Sequence, residues 1–246
     1  MPTTTPLFIV LDCVDSTNNY AMAKVHAGLS KHATAYFSAM QTAGKGQRGK
    51  EWKTSIGENI ALSIILTITK INTAHQFQLS VAVALGCFDF FSSYAGDETS
   101  IKWPNDIYWR DRKAGGILIE NVFNGNDWKF SVVGIGLNIN QSDFDATLKN
   151  AVSLKQITGK SFDGIALAKE LHQAELKRFD QLQKKEFDLI LKEYNKLLFC
   201  VDKKARLKKD NIIFETFIKG VNKHGQLITM DTIERQFNFG EVVWLL

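Results

Sequence analysis

Apolar and polar positions alternate from Leu7 to Val14, the two-residue period of a strand. Ser16, Thr17 and Asn18 follow, side chains that cap helices, and DSTNNYAMAKV then turns to a helical pattern. β-Branched and aromatic residues fill ATAYFSAM (33 to 40) and NIALSIILTIT (59 to 69), which predicts two more strands. Between them, residues 41 to 58 have neither period nor core, and loops beyond about 12–15 residues are uncommon in compact domains unless functional or disordered. The stripe Phe77, Val81, Ala84, Leu85 and Phe88 predicts a helix over 73–93. SIKWPNDIYW (100 to 109), in which Pro104 is expected to fix a bend, and AGGILIENVF (114 to 123) are expected strands joined by the polar turn RDRK, and Asn124-Gly125 closes a hairpin onto WKFSVVGIGLNIN. That pair favours an antiparallel or mixed sheet. Two amphipathic helices are expected over 162–198, and from Val201 onward short strands with turns at Gly220, His224-Gly225 and Gly240 predict a small β-barrel.

A length of 246 residues suits one core of about 200 residues with a small appendage. With 45% hydrophobic and 23% charged residues and only three prolines, the chain is no disordered or low-complexity segment. Thirty basic against twenty-six acidic side chains leave +4, an excess that suits phosphate-bearing ligands and falls short of a nucleic-acid footprint. Cys13, Cys87 and Cys200 are odd in number and far apart, so they build neither a disulfide framework nor a CxxC metal site, and a reducing compartment fits best. MPTTTPLFIV lacks the basic start and apolar length of a leader, so a cytoplasmic location is expected. The longest charge-free stretch, Ile71 to Phe88, carries Asn72, Gln76, Gln78 and Ser80 and is expected as a buried helix, not a membrane span.

The long loop holds Gly44, Lys45, Gly46, Arg48, Gly49 and Lys50. Its GKGQRGKEW matches GxGxxG, and Gly44 to Lys50 also spells GxxxxGK. A dinucleotide turn needs a helix opening at the glycines so that its dipole faces pyrophosphate, yet KEWKTSIGEN has another glycine, no helical stripe and a strand after it. A P-loop needs Ser or Thr after the lysine, and Glu51 stands there instead. What remains is either a solvated turn or a basic flap whose amides and cations close over an anion.

In order and at these separations, DSTNNYA, QTAGKGQRGKEW, KWPNDI, KAGGILIE and GIGLNIN resemble the biotin–protein ligase family, and the likeness continues through AVSLKQITG to GEVVWLL. The resemblance implies an α+β fold: a catalytic domain with a mixed or antiparallel sheet and helices over residues 1–200, and a small C-terminal β-barrel domain over 201–246. It implies two-step acyl transfer: ATP and biotin form biotinyl-5′-AMP and pyrophosphate, then a lysine of a biotin carboxyl carrier domain attacks the acyl carbon. Mg2+ is implied by the ATP chemistry alone, since no metal-spaced His or Cys cluster exists. Homodimerisation by sheet extension occurs among relatives and is left open.

The family's motifs carry roles onto particular residues. Ser16, Thr17, Asn18 and Gln41 match its ureido-contacting positions, where a neutral ring with two donors and one acceptor needs such side chains on an apolar wall. Gly44, Lys45, Gly46 and Gln47 continue the substrate set, with Lys113, Gly115 and Gly116 of the Lys-x-x-Gly-Ile-Leu pattern. A carboxylate approaching a phosphate needs fixed cations, and Lys113, Lys45 and Arg48 are the implied ones, with Asp106 at the reaction centre orienting magnesium-bound phosphate or holding the incoming lysine. Arg48, Lys50, Asn105, Asp106 and Asn138 face the nucleotide in this scheme, and Trp52 stacks on adenine or anchors the flap. One departure stands out. Where the family often writes GRGRxGR, this chain has Lys45 and Gln47, and Arg48 or Lys50 is expected to compensate.

Two other functions compete. Lipoate or octanoate transfer would use a related scaffold. A biotin-sensing repressor would need an N-terminal winged helix-turn-helix, for which the dozen or so residues before the first motif are too few. The basic run KKARLKK (203 to 209) is explained as a charged edge strand, so no nucleic-acid partner is expected.

Overall fold

The computed structural model describes residues 6–69, 71–148 and 150–245. Residues 1–5, part of the segment considered above for a leader, and residue 246 lie outside them. Strand β1 (Phe8–Leu11) leads into helix α1 (Thr17–His26). Ser16 takes the N-cap position with extended dihedrals, but its hydroxyl makes no capping bond. Strand β2 (Thr34–Ser38) runs parallel to β1 and antiparallel to β3 (Asn59–Thr67). Helix α2 (Gln76–Ala95) begins after one 3-10 turn, Thr73–His75, which Asn72 caps.

The segment 100–109, read as strand with a bend fixed by Pro104, is two strands, and the bend is a full turn. Strands β4 (Thr99–Lys102) and β5 (Asp106–Trp109) pair antiparallel around a turn at 103–105, because Pro104 has no N–H for a ladder and favours a bend. Strands β6 (Arg112–Asn124) and β7 (Asp127–Asn138) form the expected long hairpin, with Gly125 at φ +58° in its turn. Helices α3 (Leu154–Thr158), α4 (Gly164–Gln183) and α5 (Phe187–Lys196) follow. The short α3 went unread because five residues show too little period. Its signal was the start SLKQ, where Ser153 and Gln156 make a capping box.

The first seven strands form one mixed sheet in the order β1-β2-β3-β7-β6-β5-β4. Side chains alternate across it, and the two faces are used differently. Ile60, Leu62, Ile64, Val133, Ile135 and Leu137 point into the large core with α2 and α4, whereas Ile65 and Val132 join Ala21 and Val25 in a small cluster under α1. On that second face β3 and β7 also carry Ala61, Ser63, Gly134 and Gly136, so the sheet is shallow there. Thr73–Ala95 is the one described segment long and apolar enough to cross a bilayer, yet eleven residues of α2 are buried in the protein's own core.

The remaining strands, β8 (Lys204–Lys209), β9 (Ile212–Val221), β10 (Leu227–Met230), β11 (Glu234–Phe237) and β12 (Val243–Trp244), make a five-stranded antiparallel sheet, the small C-terminal β unit that was expected. Its ladder runs β11-β10-β9-β8-β12, with β11 and β12 as its two ends. Gly220 makes no turn: it lies inside β9, opposite Ile228, where the register shifts. The turn expected at His224-Gly225 is there, spanning 222–226 and held by Asn222. Nor is the basic run an edge, because β8 pairs with β9 throughout and with β12 at Leu207 and Lys208. Leu207, Ile218, Leu227 and Phe237 belong to the same buried cluster as the core of the first sheet.

Candidate active site

The long loop is an ordered hairpin. Trp52 N–H donates to Gly44 O at 2.8 Å, Gly46 N–H to Lys50 O at 2.7 Å, and the backbones of Lys45 and Glu51 pair as one antiparallel β-bridge. Gly44 is required, since a Cβ there would lie 2.4 Å from Trp52 O. At the tip, Gln47–Gly49 make one 3-10 turn with Arg48 in left-handed backbone, so no helix opens at the glycines and the dinucleotide motif is excluded by shape.

This hairpin leans over the shallow face of the sheet and encloses a narrow cleft of about 60 Å³. On the α1 side the lining is polar and buried: Ser16, Thr17 and Asn18 are at most 4% exposed. Gln41 Oε1 accepts from Thr17 N–H at 2.8 Å and lies 3.1 Å from the Thr17 hydroxyl. Ser63 Oγ stands 2.6 Å from Asn18 Oδ1 and 2.8 Å from Thr17 Oγ1, while Asn18 Nδ2 donates to Glu120 Oε2 at 2.9 Å. Ser63 and Glu120 were not read from the sequence. Each lies on a strand more than forty residues from its partner, and only the β3–β7–β6 pairing brings them there.

The floor is made of absences. A Cβ on Gly134 would fall 2.2 Å from Asn18 Oδ1, and one on Gly136 would fall 2.3 Å from the Trp52 ring. The β6–β7 register is continuous at both, so neither glycine marks a bulge. Each instead lets a side chain from another element lie on the strand. Trp52 is thereby an anchor of the hairpin inside the cleft, its Nε1–H buried without a partner among the described residues, as is Gln47 Oε1. Such orphans cost about 1–3 kcal/mol each unless a ligand meets them.

At the start of β6 the lining turns cationic. Lys113 Nζ donates to Asp106 Oδ1 at 2.6 Å, the lysine 35% and the aspartate 20% exposed in their side chains, and sits 5.9 Å from the Trp52 ring centroid. Gly116 clears the space beside that pair. Lys113 is held by its backbone as well: its N–H donates to Asn150 O and its C=O accepts from Val152 N–H. Asn138 secures this clamp through Nδ2, which donates to Lys113 O and Val152 O. Lys45, Gly46, Gln47, Asn105, Ile117 and Ile135 complete the wall.

The expected residues thus divide. Ser16, Thr17, Asn18, Gln41, Lys45, Gly46, Gln47, Trp52, Asn105, Lys113 and Gly116 line one cleft, and Asp106 adjoins it through Lys113. Gly44, Gly115 and Asn138 stand behind the lining, Gly115 packed on Leu137. Arg48 and Lys50 are exposed, and the Arg48 guanidinium rests 4.9 Å from the Phe239 ring, not in the cleft. The cations that face the cleft are therefore Lys45 and Lys113. Lys102 is a further one nearby. Burial pushes its ammonium down to about 8, against the opposing pull of Asp106, and it donates to the Tyr108 hydroxyl at 3.0 Å beneath the Trp244 ring. Among the described residues no three His, Cys, Asp or Glu side chains are grouped to hold a metal.

A second, wider cavity of about 480 Å³ adjoins the first through the shared wall of Gln47, Asn105 and Ile117, and reaches Phe77, Gly225 and Phe239.

Comparison with known proteins places this geometry. The model of the biotin/lipoate A/B protein ligase family matches residues 10–138. The bifunctional ligase/repressor BirA of Escherichia coli is 26% identical over 236 residues, 95% of this chain and 72% of that protein. A biotin–[acetyl-CoA-carboxylase] ligase of Paracoccus denitrificans is 36% identical over 127 residues, 51% of each chain. The biotin protein ligase from Aquifex aeolicus, solved in complex with biotin and ATP, superposes with a TM-score of 0.82 at 21% identity, over 98% of this chain and 99% of that one.

Proposed function

This chain belongs to the biotin/lipoate A/B protein ligase family, and within it we propose that the protein is a biotin–protein ligase. It joins biotin and ATP as biotinyl-5′-AMP and then transfers the acyl group to a lysine of a biotin carboxyl carrier domain. The observation that carries the proposal is one glycine-floored cleft with uncharged donors and acceptors on its α1 side and the Lys113–Asp106 pair at the start of β6. A ureido ring is neutral and needs both donors and acceptors, which Thr17, Gln41 and Asn18 offer beside Ala61 and the Trp52 ring.

In the first step a biotin carboxylate oxygen attacks the α-phosphorus of ATP and pyrophosphate departs. Two anions meet, and Lys113 and Lys45 offset the charge that accumulates in the transition state. Lys113 is suited to this because β6 and the 150–152 segment fix its backbone. In the second step the carrier's lysine attacks the acyl carbon as a free amine. AMP leaves and one proton is lost, for which Asp106 beside Lys113 is the proposed acceptor. Magnesium, if carried in with ATP, would supply further charge neutralisation. Asp106, already paired with Lys113, is the carboxylate that would hold it, and among the described residues no three His, Cys, Asp or Glu side chains group there, so no step is assigned to a protein-held ion. The division at about residue 200 is proposed as catalytic unit and C-terminal sheet, and a reducing, intracellular setting suits three unpaired cysteines.

Mixing the protein with biotin, MgATP and a carrier domain, and weighing the carrier by mass spectrometry, tests this directly. One biotinyl group added per carrier is expected, and lipoate or octanoate in its place should add nothing. Lys113→Ala should slow pyrophosphate release by about 10²–10³-fold, the usual consequence of removing one transition-state charge partner. Acylation by octanoate but not biotin would overturn the assignment.

A further inference from the structure

Arg48 is held in an expensive posture for a purpose outside the cleft. It sits in left-handed backbone, φ 58° and ψ 38°, at the tip of the hairpin, a region that non-glycine residues rarely adopt and that is costly for them. Among the described residues no carboxylate pairs with it. Its guanidinium instead lies 4.9 Å from the Phe239 ring centroid in the C-terminal sheet's last turn. It also lies flat on Gly240, where a Cβ would come within 2.1–2.3 Å of three guanidinium atoms. Gly240 is at φ +84°, so both its backbone and its bare Cα are used.

The far side of this contact is anchored too. Phe239 meets Trp103 edge-on at 6.2 Å and 84°, and Trp103, 4% exposed, donates from Nε1 to Gly225 O at 3.0 Å. Trp103 opens the turn that delivers Asn105 to the cleft wall and Asp106 to Lys113. On the hairpin, Gln47 next to Arg48 lines both cavities. A cation from the loop and an aromatic ring from the second sheet thus meet above the wall of the cleft.

We propose that Arg48, Phe239 and Gly240 form a clasp by which the C-terminal sheet holds the glycine-rich hairpin shut over the cleft, which makes them positioning residues that retain the acyl adenylate. This rests on the ligase reading above. The clasp explains why the loop's one arginine faces away from the reactants, and gives the second sheet a part in a reaction whose residues lie on the first.

The test separates escape of the intermediate from its formation. Labelled adenylate is made in a single turnover, unlabelled biotin and ATP are added in excess, and the loss of label from the protein is followed. Phe239→Leu keeps apolar bulk and removes the π face. It should speed escape by about 3- to 30-fold, the range of a cation–π contact of ordinary strength, with formation as in the wild type. Arg48→Ala should speed escape equally, the double variant should match either single one, and Phe239→Tyr should restore retention. Escape at the wild-type rate in Phe239→Leu, or additive effects in the double variant, would overturn the clasp. Hydrogen exchange of the 44–52 amides in the unliganded protein provides a readout independent of chemistry. Faster exchange in Arg48→Ala and Phe239→Leu supports the clasp even if no adenylate forms, in which case the ligase reading alone fails. Unchanged exchange rejects the clasp.

Discussion

Lys102 illustrates what a single residue's surroundings can impose. Its ammonium is held among Tyr108 and Trp244 and pushed down to about 8, first by burial and then by Lys113 and Lys50, with Asp106 acting the other way. In the unfolded chain the same group titrates near 10.5. Below pH 8 both states carry the proton and the fold bears the full penalty. Between 8 and 10.5 the unfolded chain binds more protons, so this residue's contribution to stability improves as pH rises. Lys102→Met should therefore raise the melting temperature most at pH 7 and progressively less towards pH 10. Thermal melts across that range check it, and a benefit that grows with pH would show that another group controls the site. Lys102 stood in the most conspicuous string of the sequence and was still passed over, because Trp244 and Tyr108 reach it only through sheet packing. Ser16, Thr17, Gln41 and Lys113 were legible because each sits in a motif whose neighbours fix its backbone; Ser63 and Glu120 were not, because nothing local marks a strand residue that faces a distant helix.

At the scale of elements, the informative signal was the small residue on a strand. The run VVGIGLN in β7 alternates large and small, and the register puts Val133, Ile135 and Leu137 in the core and Gly134 and Gly136 under Asn18 and Trp52. The alternation was visible in the sequence; its meaning was not, because a glycine in a strand signals a bulge as readily as a close approach. The structure decides for the second, and a prediction follows. In Gly136→Ala the new methyl group would stand 2.3 Å from Cε2 of an indole whose backbone is tied to Gly44. Trp52 cannot yield without opening the hairpin, so biotin affinity should fall about tenfold or more while far-UV circular dichroism stays that of the wild type. Overpacking of this kind costs about 1–3 kcal/mol, and calorimetric titration would detect its consequence in binding. Tight binding with an unshifted Trp52 fluorescence spectrum would mean that the ring has room the geometry does not show. The same limit explains why the bend expected at Pro104 was not recognised as a turn between two paired strands. Hydrophobic pattern alone runs straight through KWPND, whereas the turn depends on Pro104 and on β4 pairing with β5.

Across the whole molecule, helices α2, α4 and α5 share a set of ionisable groups, buried at Glu175 and Arg178, that no motif reported. Glu175 of α4 lies 4% exposed against Gly86 of α2, where a Cβ would touch its carboxyl group, and accepts from the Cys87 thiol at 3.2 Å. Burial, helped by Asp89, raises this carboxyl well above its ordinary 4.5, and burial and Glu175 raise the thiol likewise. One turn on, Arg178 donates to Asp89 and to Glu193, and that hydrogen bonding lowers the Glu193 carboxyl. The two glutamates pull stability in opposite directions. Glu193 stabilises the fold above pH 4.5, and its contribution is lost as pH falls through its folded value. Glu175 binds its proton more tightly in the fold than in the unfolded chain, so its contribution is complete below 4.5 and is lost as pH rises towards its folded value. Glu175→Gln keeps an oxygen for the Cys87 thiol and removes the charge. It should leave the acid limb of the stability profile in place and abolish the decline above it, with Tm rising by about 2–4 °C for each kcal/mol released. Lys102 titrates above pH 7.5, but burial lowers His32 and His172 from 6.5, and their contribution improves as pH rises through the same window. The difference between variant and wild-type melts from pH 5 to 7.5 cancels that contribution and leaves the Glu175 effect. An unchanged slope there would mean that Glu175 is ionised in the fold, its charge carried by Arg178 across one helical turn.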